Sequence, residues 1–211
     1  VGIFSRMFNR STKEKKEKMR SDGIELYNDK FENILPQIKF DVIITDPPYP
    51  NFLADEYVYY DGIIEWMKKY ECRQIVFWTD KEPFVLDYGT KHIWHKQCGT
   101  YATTESIFEI NSVSESKTYS YQKIKNQIDA QMNRDIKTIH PSQKPIRLIN
   151  ELINDFTSEG DIVFDPFMGS GSIGVSCARY KRKYIGCEID NKYFEIAKKR
   201  IENELSQPKL F

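Results

Sequence analysis

The chain has 211 residues, 31 Lys and Arg set against 31 Asp and Glu, and a hydrophobic content of 40%. That length fits one domain spanning 1–211 with a full core, and the composition excludes a disordered chain. No apolar run reaches the ~18 residues of a membrane span, and no charged-then-apolar leader opens the sequence, so a cytoplasmic protein with no membrane association is expected. Cys72, Cys98, Cys177 and Cys187 form no CxxC pair. They read as free thiols of a reducing compartment, and no metal site is expected.

The pattern along the chain alternates short apolar runs with helical periodicity. Strands are expected over 24–27, 41–45, 74–79, 105–110, 161–165 and 183–188. Helices are expected over 57–70, 146–157, 173–180 and 191–205. This order implies an α/β fold, a mostly parallel sheet with helices on both faces. Pro145 suits the first turn of the helix it precedes, and Asp190 suits a helix N-cap. Residues 111–139 are rich in Ser, Lys and Gln and read as a surface loop or small subdomain.

A net charge of zero argues against a generic nucleic-acid binder, but the charge is unevenly spread. Residues 1–20 carry seven Lys and Arg against two Glu, and residues 114–147 carry seven against three acids. Residues 10–20 read equally as a solvated helix or tail and as a phosphate-contacting segment.

Chemistry concentrates where strands end. Asp46-Pro47-Pro48-Tyr49 follows the apolar run Val42-Ile43-Ile44-Thr45, which places it at the carboxyl edge of a sheet, where open α/β folds bind ligands. Asp46 offers a carboxylate acceptor and Pro47 a carbonyl, and neither proline carries a competing N–H. Tyr49 offers a face for stacking. This set suits a planar ring that carries an amino group with two N–H donors.

A second constellation begins at the strand 161–165. It runs through Asp165-Pro166-Phe167-Met168-Gly169-Ser170-Gly171-Ser172 into a helix. Strand, glycine-rich turn and helix form a nucleotide-binding unit, since glycines let backbone approach a ligand closely. The turn is neither GxGxxG nor a P-loop, which disfavours a dinucleotide or triphosphate. Glu188, at the tip of the next strand, is placed to accept two hydrogen bonds from a ribose diol. In His140-Pro141-Ser142-Gln143-Lys144-Pro145, the lysine can meet a carboxylate near a helix N-terminus. Asp29 closes the first strand, and the residues alone leave it equally a helix cap or a contact to a bound ring.

Together these residues resemble the S-adenosylmethionine-dependent amino-methyltransferases of DNA, in the permuted class where the catalytic motif precedes the cofactor motif. The matches are DPPY at 46–49, HPSQKP at 140–145, DPFMGSGS at 165–172 and CEID at 187–190. The resemblance implies a Rossmann-like methyltransferase fold and methyl transfer from S-adenosylmethionine to N6 of adenine in DNA. Asp46, Pro47 and Tyr49 would hold a flipped base. Asp165, Phe167, Gly169, Ser170 and Gly171 would line the cofactor, and Glu188 would take its ribose. Ser142 and Lys144 would lie near its methionine end, and Asp29 near its adenine. Residues 90–139 would be a short target-recognition region.

Alternatives stand beside this reading. Cytosine N4 carries the same two donors, and Tyr119 and Tyr121 would also suit single-stranded nucleic acid or an RNA adenine substrate. An inactive nucleic-acid-binding subunit is expected to lose the catalytic acid or the glycine turn, and both are intact. A homodimer is compatible with the sequence.

Overall fold

The computed structural model describes residues 17–48, 65–97, 103–122 and 143–207. Among them, nine strands form one sheet. They are β1 (Lys18–Ser21), β2 (Ile24–Tyr27), β3 (Val42–Thr45), β4 (Arg73–Trp78), β5 (Thr90–His95), β6 (Thr104–Ile110), β7 (Thr118–Ser120), β8 (Ile162–Asp165) and β9 (Lys183–Cys187). Their spatial order is β1-β2-β9-β8-β3-β4-β6-β5-β7. The five central strands from β2 to β4 run parallel, and β6 enters antiparallel between β4 and β5. Four helices accompany them: α1 (Phe31–Ile34), α2 (Ile146–Phe156), α3 (Ser172–Arg179) and α4 (Asn191–Leu205).

Both faces of the sheet are buried, which is why its central strands read as unbroken apolar runs. In β3 the side chains alternate between faces. Val42 and Ile44 join a core with Val163 of β8 and with Leu148, Leu152, Ile173 and Phe194, brought by α2, α3 and α4. Ile43 joins the opposite core with Phe31, Ile34, Trp66, Met67 and Phe164. The expected helix over 57–70 lies mostly outside the described residues, though 65–67 are helical.

The tight seam is between α3 and its neighbours. Gly171 has φ +77°, and a Cβ there would stand 2.8 Å from the Cβ of Ala197. A side chain at that point would push α4 off the turn. Asp190 caps α4, its carboxylate accepting from the Tyr193 N–H at 3.0 Å. Pro145 precedes α2 as its extended N-cap residue rather than lying inside the first turn, and its carbonyl accepts from Ile149 N–H at 3.1 Å.

Three strands and one helix go beyond the sequence expectations. In β5, Thr90, His92 and Trp94 face inward while Ile93 is 37% exposed. Its polar residues occupy core positions, so hydrophobic alternation points the wrong way. Within the stretch 111–139 read as a loop or subdomain, Thr118–Ser120 is a strand of the main sheet, anchored by buried Tyr119. Its three residues pair with β5 rather than forming a unit of their own. The edge strand β1 and the one-turn α1 are too short for a periodic signal.

Candidate functional site

The topology reverses between β8 and β3. From β3 the sheet continues to β4 on one side, and from β8 to β9 on the other. A crevice therefore opens at the carboxyl ends of these two neighbours, the ligand position of open α/β sheets. Four adjacent tips carry acids: Asp29 after β2, Glu188 after β9, Asp165 ending β8 and Asp46 after β3.

Asp165 ties the floor of this crevice together. Its Oδ1 accepts from the Thr45 hydroxyl at 2.9 Å and the Phe167 N–H at 3.1 Å. Its Oδ2 accepts from the Tyr184 hydroxyl at 3.1 Å. Burial pushes the Asp165 carboxyl up to about 7, against the pull of those three donors, and the charge of nearby Asp46 adds to the rise.

The glycine-rich turn is fixed on all sides. Met168 N–H donates to the Cys187 carbonyl at 2.8 Å, and Gly171 N–H donates to Met168 at 2.9 Å. Gly169 and Gly171 both adopt positive φ, 52° and 77°. Arg200, from α4, donates to the Ser170 carbonyl and, at 3.0 Å, to its hydroxyl. Glu188 reaches across to the same turn. Its Oε2 accepts from Gly169 N–H at 2.9 Å and its Oε1 from Asp190 N–H at 2.8 Å. Burial raises the Glu188 carboxyl above the ordinary carboxylate range, with those backbone donors opposing it. Asn28 pins the Glu188 carbonyl at 2.9 Å. Asp29 stands just before Lys30, the N-cap residue of α1; it accepts from Lys30 N–H at 2.8 Å and from Asn33 at 2.7 Å. Phe167 packs edge-on against Phe31 with ring centroids 5.4 Å apart.

On the β3 side, charges form a row that runs inward from half-buried Asp46. Lys144 Nζ donates to Asp46 Oδ2 at 2.5 Å and stands 2.9 Å from Glu105 Oε1. Glu105 Oε2 meets Lys96 Nζ at 2.9 Å. Lys144 also lies 4.8 Å from the ring centre of Phe77, and Lys96 lies 5.3 Å from that of Trp94. Burial would pull the Lys144 ammonium down, but the charges of Asp46 and Glu105 outweigh it and raise it. Burial likewise works against ionised Glu105, and the two lysines prevail and lower it.

Of the residues expected from sequence, Asp46, Pro47, Lys144, Asp165, Phe167, Gly169, Ser170, Gly171, Glu188 and Asp29 fall on these neighbouring tips and loops. Tyr49 and Ser142 lie outside the described residues, as does most of the basic stretch 10–20. Lys144 meets two carboxylates of the protein itself. Sequence reading missed Thr45, Tyr184, Glu105 and Lys96. A signal for Glu105 existed: it stands at a position of its strand that alternation turns inward with Ile107. Among the described residues no His, Cys, Asp and Glu cluster could hold a metal, and no helix is long and apolar enough to cross a membrane.

The family described as DNA methylase, comprising N6 and N4 methyltransferases, matches residues 74–199, more than half of the chain. The type II methyltransferase M2.DpnII of Streptococcus pneumoniae is 37% identical over 98 residues, which take in 41% of this chain and 37% of that relative. The chain therefore aligns with well under half of that protein's length. The crystal structure of the M1.HpyAVI–SAM complex superposes with a TM-score of 0.60 at 22% identity, covering 84% of this chain and 98% of the other. The cytosine-N4-specific PvuII DNA methyltransferase superposes with a TM-score of 0.64 at 15% identity, covering 84% and 86%. At these identities the likeness is one of fold.

Proposed function

Because the chain belongs to the N6/N4 family of DNA methylases, we propose that it transfers the methyl group of S-adenosylmethionine to the exocyclic amino nitrogen of a base in DNA, N6 of adenine. The observation that carries this reading is the hydrogen bond between Thr45 and Asp165. It ties together the ends of the neighbouring strands that lead into the Asp46 loop and the glycine-rich turn, and direct group transfer needs the two side by side.

The residues of the turn fit the cofactor. Glu188 has one N–H on each carboxylate oxygen, and a carboxylate offers about four acceptor sites. Acceptor capacity for a ribose diol therefore remains. The positive φ at Gly169 and Gly171 exposes backbone where a side chain would stand. Phe167 and Asp29 border the adenine side of this site in our reading. When bound, S-adenosylmethionine supplies a methyl group already activated on a sulfonium.

The protein's work is then alignment and acceptance. The amino nitrogen of a base is a poor nucleophile, because its lone pair is delocalised into the ring. Asp46 and the Pro47 carbonyl accept its two N–H groups, draw the nitrogen toward tetrahedral geometry and free the lone pair. Asp46 also stabilises the positive charge that develops there. The methylated nitrogen is strongly acidic, so Asp46 or water takes its proton. A base within a duplex must leave the stack to arrive here, at a cost of a few kcal/mol. Stacking on Tyr49 offsets about 1–3 kcal/mol of it.

Adenine is favoured by the Asp that opens DPPY, a feature of the adenine type in the resembled family. A second reading, cytosine N4, is favoured by the likeness to the PvuII enzyme. Incubation with methyl-labelled S-adenosylmethionine and unmethylated DNA, digestion to nucleosides and chromatography decide between them. Label in N6-methyl-2′-deoxyadenosine is the expected result, and label in N4-methyl-2′-deoxycytidine selects the second reading. Absence of label from DNA of varied sequence would remove both.

A further inference from the structure

The row Asp46–Lys144–Glu105–Lys96 alternates in sign and spans three separated chain segments. Only its first member belongs to the strand-end motif that would hold the base. Glu105 is 6% exposed, and Lys96 and Lys144 are 8% and 7% exposed. Burying three charges in a row beside half-buried Asp46 is expensive, and each is tolerable only with its neighbour's charge in place. A stability role alone would be met as well by apolar side chains, which pack at lower cost. Placement against Asp46 therefore points to a different task.

We propose that Glu105 is a positioning residue for methyl transfer. Acting through Lys144, it sets how strongly the lysine holds Asp46 and so how well Asp46 accepts an amino N–H. This rests on the methyltransferase reading above. Lys144 divides its charge between two carboxylates at 2.5 and 2.9 Å. Lys96 sets the division from the far end by competing for Glu105 at 2.9 Å. A lysine bound to Asp46 alone would compete with the amine for the carboxylate. Absence of the lysine would leave Asp46 and Glu105 as like charges in a buried site, and protonation would turn Asp46 from acceptor into donor. Shared between the two, the lysine keeps Asp46 ionised and still available. The raised Lys144 and lowered Glu105 agree with a row in which every member is charged.

The groups that face Asp46 among the described residues are Lys144 from the loop before α2, Glu105 from β6 behind it, Lys96 at the end of β5 and Asp165 at the end of β8. The signs of three substitutions follow. Lys144→Met removes the cation and raises the Asp46 titration by about 1–3 units. Glu105→Gln removes a like charge and the carboxylate that competes with Asp46 for Lys144, which lowers the titration. Lys96→Met, which does not touch Asp46, draws Lys144 toward Glu105 and raises the titration by less than Lys144→Met does.

The test follows the Asp46 carboxyl by carbon-13 NMR, assigned by comparison with Asp46→Asn, alongside the acid limb of kcat against pH with a DNA substrate. Opposite displacements in Glu105→Gln and Lys144→Met, and partial return in the double variant, are the expected results. An unmoved Asp46 in Glu105→Gln, or displacement of both single variants in one direction, overturns the proposal. Should either of those variants fail to fold, Lys96→Met decides alone, and an unchanged Asp46 titration there overturns it. An unvaried protein that methylates no nucleic acid sinks the methyltransferase reading, while the NMR titration still decides the role of Glu105.

Discussion

Thr45 and Asp165 lie 120 residues apart in the chain and share a buried hydrogen bond of 2.9 Å under the crevice. The threonine is the last residue of β3, and the aspartate is the last residue of β8. Thr45→Val keeps the shape and removes the donor. Asp165 is then left with two donors, and the fold is expected to lose about 1–3 kcal/mol, measurable by urea unfolding. Cofactor affinity should weaken with it, since Asp165 also holds the Phe167 N–H that opens the turn.

Asp165 makes stability depend on pH in an uncommon direction. Its folded titration lies near 7, above the 3.8 of an ordinary Asp, because burial disfavours the charge. Between those values the folded state holds more protons than the unfolded state. Stability from this group is therefore full below about 4 and falls as pH rises through 7. Asp165→Asn removes the dependence. Relative to the unaltered protein, the variant should gain stability from pH 5 to about pH 7 and level off above it in denaturant titrations. A constant difference across that range would refute the buried, easily protonated carboxyl.

Asp46 and the cofactor turn should separate functionally. Asp46→Ala is expected to lose about 10²–10³ in turnover or more, with little change in S-adenosylmethionine affinity by calorimetry. Lys144 keeps Glu105 as a partner in that variant, so the fold should survive. Retained turnover would end the assignment of Asp46 to chemistry.

The complementary result belongs to Glu188. Its removal takes an acceptor from the proposed ribose position and releases the Gly169 N–H. Glu188→Ala should weaken cofactor binding on the order of 10–100-fold, equivalent to losing about 1.5–3 kcal/mol of hydrogen bonding to a charged group. An unchanged dissociation constant would place the ribose elsewhere.

Gly171 should not accept a side chain. Gly171→Ala meets both a positive φ of 77° and Ala197 at 2.8 Å. A loss of about 1–3 kcal/mol is expected. Ala197→Gly added to it should recover the part due to contact and leave the part due to backbone conformation. Thermal unfolding of the single and double variants separates the two.

Much of the architecture was legible because both sheet faces are buried. β2 and α4 run over the expected residues, β3, β6, β8, β9 and α2 differ from expectation by a residue at one end, and β4 and α3 by a residue at each end. The motifs at strand tips could be read because backbone-dictated residues, the glycines and prolines, punctuate them. The row behind Asp46 could not. Its members come from β6, from the end of β5 and from the loop before α2, and their meeting depends on β6 running antiparallel between β4 and β5. Nothing local in Lys96 or Glu105 states which partner it will find. β5 escaped for a related reason: Thr90 is buried because the Ser114 backbone satisfies its hydroxyl, and His92 is buried with its Nδ1 accepting from Lys117 N–H, not because they are apolar.

The seating of β3 beside β8 has a kinetic consequence. The two walls of the crevice are brought by chain segments with most of the molecule between them, so no early local structure contains the site. Loop closure over such a span must come before any reward from that pairing, which slows folding. A nascent chain that has emerged only as far as β7 carries the acid of one wall and nothing of the other. Competence should therefore arrive last and all at once, when β8 slots in between β3 and β9.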